Sequence, residues 1–190
     1  MDAECMSGQC FVVGVLGGIC GECNEDADCD MFGCSIPNPL ADPPQGSTCG
    51  DGNVGSGCET ADACSGDLLC ATILDVPGVF TASTCSECDV DTDCADGTIC
   101  NPNLSVTELT GNKTCIMPGT VADGDACDLE ADNGACTNFC ASADVMGLLE
   151  LGVCSECLQD ADCPTMGDTC EAPVVDLAEG LIAGACVTPA

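Results

Sequence analysis

The sequence contains no Trp, no Tyr and no His, and only four Phe in 190 residues. Its one basic side chain is Lys113, so it has no Arg. Without His it lacks the usual general base and the usual imidazole ligand of zinc, and without Arg it lacks a bidentate fork for phosphate or carboxylate. Enzymatic chemistry has almost nothing to start from, and a non-enzymatic protein is expected. A single large hydrophobic core is excluded too, because the 46% hydrophobic fraction is inflated by Cys and Ala. The most apolar run, Phe11 to Ile19, falls far short of the roughly twenty residues of a membrane helix. No membrane insertion is expected. No basic segment precedes an apolar one at the N-terminus, as in a mature secreted chain or a fragment.

Acid and sulfur are what the sequence has. Asp and Glu number 33, for a net charge of -32, which repels nucleic acid and anionic lipid. No nucleic-acid partner is expected. Cysteine reaches 23 residues, a density that reads as a disulfide scaffold and points to an oxidising, extracellular or cell-surface location. In the chain-entropy model a disulfide that closes about fifteen residues contributes roughly 3 kcal/mol, so bridges can replace much of the missing core.

The cysteines follow a ruler. Cys58, Cys64, Cys70 and Cys85 are separated by five, five and fourteen residues, and Cys88, Cys94, Cys100 and Cys115 repeat those gaps. Cys23, Cys29, Cys34 and Cys49 follow five, four and fourteen, and Cys157, Cys163, Cys170 and Cys186 follow five, six and fifteen. Cys127, Cys136, Cys140 and Cys154 are a distorted copy, with gaps of eight, three and thirteen. A C-x2-C step joins half-units at Cys20 and Cys23, Cys85 and Cys88, and Cys154 and Cys157. The pattern divides the chain into tandem repeats at residues 1–53, 54–121 and 122–190.

The first half-unit holds only Cys5, Cys10 and Cys20. Asp2-Ala3-Glu4-Cys5 aligns with Asp26-Ala27-Asp28-Cys29, Asp91-Thr92-Asp93-Cys94 and Asp160-Ala161-Asp162-Cys163, which makes the absent cysteine the first of its set. The expectation is a chain cut between cysteines at both ends, with Cys10 or Cys5 unpaired or bonded to another segment or subunit.

Within a half-unit the sequence reads as short strands and turns, with little helix. Ile73-Leu74-Asp75-Val76, Pro77-Gly78 and Val79-Phe80-Thr81 predict one hairpin, and Val174 to Leu177 with Leu181-Ile182 about Glu179-Gly180 predict another. A third is expected with strands at Val106 to Leu109 and Lys113-Thr114 about Gly111-Asn112. Pro37-Asn38-Pro39 through Pro43-Pro44 reads as extended and polyproline-like, and a short helix is the alternative for Val145 to Leu151. Gly50 to Gly57 and Pro118 to Asp125 read as linkers between repeats. The fold class expected is therefore small and disulfide-rich: tandem cysteine-knotted repeats with short β-hairpins, little helix and no large hydrophobic core.

The C-x5-C-x5-C spacing, the longer gap, the C-x2-C step and the next near-five gap over Cys58 to Cys94 resemble the amino-terminal cysteine-rich module of the Dickkopf family. After Cys94 that family has adjacent cysteines and a basic composition, so its receptor-directed role is not implied. The resemblance implies a knotted, secreted, repeat-forming module. The sequence alone leaves connectivity open. Analogy of spacing points to first-to-third and second-to-fourth bridges: Cys58 with Cys70, Cys64 with Cys85, Cys88 with Cys100, and Cys94 with Cys115. On that scheme Cys10 is the orphan.

Metal thiolate binding is the competing use of C-x2-C, but the other gaps are too wide and no His accompanies them. No cofactor is expected, with calcium as the alternative. Asp89, Asp91, Asp93 and Asp96 approach the alternating oxygens of a calcium loop and resemble thrombospondin type 3 repeats, although Cys94 stands where the loop glycine belongs. Asp26 and Asp28, and Asp160 and Asp162, are their counterparts. In the competing reading the first Asp accepts backbone N–H groups in a turn that aims the next cysteine. Asn103-Leu104-Ser105 and Asn112-Lys113-Thr114 are sequons, expected in one hairpin loop. The leading expectation is a non-enzymatic extracellular structural repeat protein of a filament, rod or surface coat, with head-to-tail self-association or continuation into a longer repeat chain. The alternative is a calcium-dependent ligand-binding or adhesion module.

Overall fold

The computed structural model describes residues 5–6, 9–13, 17–39, 41–77, 80–129, 134–145 and 147–189. Among the described residues the fold is strand-dominated and has eleven disulfides and no α-helix. Its sheets are small antiparallel ladders: β1 (Gln9–Val13) with β2 (Gly17–Gly21), β3 (Leu69–Val76) with β4 (Phe80–Ser86), and β5 (Ile99–Ser105) with β6 (Thr110–Ile116). β7 (Ala126–Cys127) and β8 (Phe139–Val145) flank β9 (Leu149–Ser155). β10 (Thr169–Glu171) pairs with β13 (Ala185–Val187), and β11 (Val174–Asp176) with β12 (Gly180–Ile182).

The cysteine ruler becomes geometry in one way throughout. The third and fourth cysteines of a half-unit face each other across the ladder: Cys10 and Cys20, Cys70 and Cys85, Cys140 and Cys154, Cys170 and Cys186. Cys34 and Cys49 do the same through an isolated bridge. The first cysteine bonds the third, as in Cys23–Cys34, Cys58–Cys70, Cys127–Cys140 and Cys157–Cys170. The second bonds the fourth, as in Cys5–Cys20, Cys29–Cys49, Cys64–Cys85, Cys94–Cys115, Cys136–Cys154 and Cys163–Cys186. Cys88 and Cys100 are disulfide-bonded as well. Directly opposed residues point to the same face of a ladder, so the two bridges of a module lie side by side.

Sulfur is accordingly the centre of the core. Cys58, Ala63 and Cys85 form one buried cluster with Cys64, Leu68 and Cys70 packed on it, and Cys127, Cys136 and Cys154 form another with Val121 and Cys140. Small side chains are buried as well, among them Ala71, Ala82, Ala126, Ala141, Ala143 and Val153.

Compactness divides the chain into two units. One comprises Met1–Asp89 and Glu108–Lys113, and the other Val90–Thr107 and Thr114–Ala190. The first takes in the first sequence repeat and the first half of the second.

Several local expectations are corrected. Cys5 is bridged to Cys20, so it is no candidate for an unpaired thiol. The described residues between Val145 and Leu151 form no helix: Val145 ends β8, Gly147 and Leu148 turn, and Leu149 to Leu151 belong to β9, while Met146 lies outside the described residues. Leu148 N–H donates to Val145 O, the Asp144 carboxylate accepts the Gly147 N–H at 2.8 Å, and Gly147 has φ 71. The turn of the third hairpin lies at 106–109, with Leu109 at φ 51, and Gly111-Asn112 belongs to β6. Pro37 to Pro44 folds back on itself, with Asn38 and Gln45 exchanging both backbone hydrogen bonds at 3.0 Å. Leu40 in that segment, and Gly78 and Val79 of the predicted 73–81 hairpin, lie outside the described residues. The two expected linkers are docked as well. Gly55 N–H bonds Cys85 O and Cys85 N–H bonds Ser56 O, each at 2.8 Å, and Gly124, Asp125 and Cys154 repeat that pattern.

Candidate functional site

The Asp-x-Asp motif is the recurring polar feature, and in each copy it makes a 3-10 turn over Asp26–Asp28, Asp91–Asp93 and Asp160–Asp162. The two carboxylates of a turn have separate tasks. The first reaches forward: Asp26 Oδ1 accepts the Cys34 N–H at 2.9 Å, Asp91 Oδ1 the Cys100 N–H at 2.8 Å, and Asp160 Oδ1 the Cys170 N–H at 2.9 Å. Each acceptor therefore holds the third cysteine of its module. The second reaches back. Asp28 Oδ2 accepts the Asn24 and Glu25 N–H groups, Asp93 Oδ2 that of Val90, and Asp162 Oδ2 those of Leu158 and Gln159. A short carboxylate side chain suits this local work.

Asp26 Oδ2 also accepts the Glu59 and Thr60 N–H groups, while Glu59 Oε2 accepts the Asp26 N–H. The turn thus ties one repeat to the next inside the first compact unit. Asp89 Oδ1 pairs with Lys113 Nζ at 3.1 Å, and the same ammonium donates to Asp89 O at 2.9 Å. Asp96 is exposed. Apart from Asp96, these carboxylates hold backbone amides and one ammonium in the structure. A cation at the turns would have to compete with the N–H groups they already accept.

Sequence reasoning missed a second recurrent feature, the residues inside the C-x2-C steps. They read Gly21-Glu22, Ser86-Glu87 and Ser155-Glu156. In each, the Glu N–H donates to the carbonyl of the residue two before the fourth cysteine of the following module: Ser47, Lys113 or Gly184. Glu22 Oε2 accepts the Cys49 N–H at 3.2 Å, and Glu156 Oε2 accepts the Cys186 N–H at 3.1 Å.

A hydroxyl completes the joint. Ser86 Oγ donates to Thr84 O and accepts the Lys113 N–H, and Ser155 Oγ donates to Val153 O and accepts the Gly184 N–H. Both serines are fully buried. In the first repeat the hydroxyl comes from the opposite side: Ser47 Oγ donates to Cys23 O and occupies the space where a side chain on residue 21 would lie. That close approach requires glycine at 21. The signal was legible as an invariant Glu within all three steps.

Other sequence candidates lie apart from these joints. Cys10 is the one free cysteine and is buried. Asn103 is exposed on β5 and Asn112 half-buried on β6, so both sequons are in strands and not in the loop between them. Sulfur atoms of Cys58, Cys64 and Cys85, and of Cys127, Cys136 and Cys154, lie within 4.8 Å of one another. That proximity comes from paired disulfides, whose oxidised sulfurs are not the thiolates a metal binds. Asp51 has its carboxyl held below the ordinary 3.8 by the Ser56 hydroxyl, with Asn53 adding backbone and side-chain donors. A cleft of about 440 Å³ in the first unit is lined by Ser35, Asn38, Thr48, Ser83, Thr84 and Leu109 among others, with no carboxylate.

Among the described residues no helix is long and apolar enough to cross a membrane. The disulfide content suggests an extracellular or secreted protein. Comparison with protein-family models finds no match, and comparisons with curated proteins and with solved structures find none either.

Proposed function

We propose that the protein is a non-enzymatic extracellular structural protein whose tandem modules form part of a filament, rod or surface coat. The observation that carries this reading is the repeated joint at Cys20 to Cys23, Cys85 to Cys88 and Cys154 to Cys157, where a Glu amide bonds the next module. A module closed by its own bridges, and joined to the next by fixed backbone bonds, adds length without a shared hydrophobic core. That is the logic of repeat proteins. The absence of His and Arg from the sequence supports the same reading.

Head-to-tail joining is part of the proposal. Cys10 is a third cysteine, opposite Cys20, and in the other modules with an assigned first-to-third bridge the third cysteine is bonded to the first. Its thiol is the position at which a cysteine of another segment or subunit completes the set, a heterologous contact that does not close on itself. The test uses the full disulfide-intact chain, with intact mass before and after alkylation without reductant, and negative-stain imaging. Rods or disulfide-linked multimers that C10S abolishes are expected. Dispersed compact monomers carrying one alkylated Cys10 overturn the proposal.

A further inference from the structure

Asn101 follows the third cysteine of its module, a position that varies along the chain. It is Ala71 in one module and Ala141 in another, both buried, whereas here a carboxamide is buried at 5% exposure. Its Nδ2 donates to Pro102 O at 2.8 Å and Ala126 O at 3.0 Å, which uses both amide protons and fixes which end of the group is oxygen. Oδ1 is buried with no hydrogen-bond partner. An oxygen in that position calls for a donor or a cation.

Asn101 lines a cleft of about 500 Å³ inside the second unit, together with Asp125, Glu179 and the hydroxyl-bearing Thr107 and Thr114. The backbone places both acids. Asp125 N–H bonds Ala122 O and Asp125 O accepts the Cys154 N–H, while the β11–β12 turn is held by Asp176 Oδ1, which accepts the Ala178 and Glu179 N–H groups at 2.7 and 3.0 Å. The polar side chains of the lining all offer oxygen: two carboxamides, two exposed carboxylates and four hydroxyls. Hard oxygen ligands of mixed charge suit calcium, which tolerates irregular geometry, better than magnesium, which demands a near-ideal octahedron. The net charge of -32 also concentrates divalent cations near the surface.

We propose that this cleft is a calcium site, with Asn101 Oδ1, Asp125 and Glu179 as protein ligands and water completing the shell. It is separate from the Asp-x-Asp turns, whose carboxylates hold backbone amides, and it is independent of the structural role proposed above. Affinity is expected in the range of extracellular modules, a Kd of about 10⁻⁴ to 10⁻³ M.

The test is calorimetric and NMR titration of the full oxidised chain with calcium chloride at about 0.15 M salt, where diffuse charge screening is largely suppressed. Saturable binding that shifts the Asn101 side-chain amide is expected. Its affinity should fall at least tenfold in N101A and in D125N/E179Q, and stay unchanged in D96N. Alanine at 101 is the residue that Ala71 and Ala141 supply at matching positions, and the D125N/E179Q changes are on exposed side chains, so one of these variants will report even if the other is unstable. Unsaturable binding, binding kept in both variants, or binding lost in D91N but kept in N101A overturns the proposal.

Discussion

Asp160→Ala tests whether the repeated carboxylates are structural, because it removes one acceptor and little else. Asp160 Oδ1 holds the Cys170 N–H at 2.9 Å, and Cys170 is bonded to Cys157. A hydrogen bond to a charged group contributes about 1.5–3 kcal/mol, and water can replace an exposed one, which puts this bond near the lower figure. About 1.5 kcal/mol corresponds to roughly tenfold faster amide exchange at Cys170, localised to that module and not to the whole chain. The turn itself should survive. Residues 61–63, Ala-Asp-Ala, occupy the matching place before Cys64 without either carboxylate, and still form the 3-10 turn with Ala63 N–H on Thr60 O and Cys64 N–H on Ala61 O. Asp162→Ala, which strips the acceptor of two N–H groups, should cost about 1 kcal/mol, comparable to loss of a helix N-cap. The assay is residue-resolved hydrogen exchange on the disulfide-intact protein, with and without chelator. Unchanged exchange at Cys170 in a folded D160A variant refutes the reasoning. Chelator-dependent loosening at Cys170 in a D125N/E179Q background, where the proposed cleft site is removed, would show that the Asp160 carboxylate holds an ion and not the amide.

Two further outcomes follow from the joints and turns. Ser155→Ala leaves the Gly184 N–H and one demand of Val153 O unmet in a fully buried place, at an expected cost of about 1–3 kcal/mol, read as a lower denaturant midpoint. Asp51 has a folded-state pKa depressed below 3.8, so its contribution is complete above 3.8 and is lost as pH falls through the depressed value. Wild type should exceed D51N in stability above that window, and the two should converge below it. A difference that persists at the acid end rejects the assignment.

The cysteine spacing suggested the bridges by analogy alone and left the ladder register unread, although opposed third and fourth cysteines leave one place for the turn, midway between them. That rule explains the hairpin that turn chemistry misplaced. Gly111-Asn112 is the stronger local signal, yet it sits in β6, and the turn falls at 106–109 between Cys100 and Cys115, with Leu109 forced to φ 51. A leucine there is unfavourable locally, so the ladder register has overridden turn propensity. The same rule places Asn38 opposite Gln45 within the proline-rich segment between Cys34 and Cys49. The Asp-x-Asp turns were legible as two competing readings, since spacing cannot tell an amide acceptor from a calcium ligand. The buried hydroxyls of Ser86, Ser155 and Ser47 were not legible, because one function is supplied from two different sequence positions.

The acidic composition and the sulfur core belong to one design. A net charge of -32 destabilises a compact chain by self-repulsion, and a single Lys113–Asp89 pair cannot compensate for it. The disulfides hold the chain compact by covalent bonds that charge does not weaken. The carboxylates in turn meet backbone N–H groups that so small a fold has few other means to satisfy. Such contacts need no cationic partner, which is why Asp recurs in the turns while Arg and Lys are almost absent. Neutralising the exposed acids should therefore raise stability only where a carboxylate holds no amide. At Asp26, Asp91 or Asp160 the amide change should lower it, because a carboxamide is a weaker acceptor than a carboxylate. Thermal unfolding of D67N against D160N separates the two cases. A gain for D160N equal to that of D67N would mean that repulsion, and not amide capture, governs these positions.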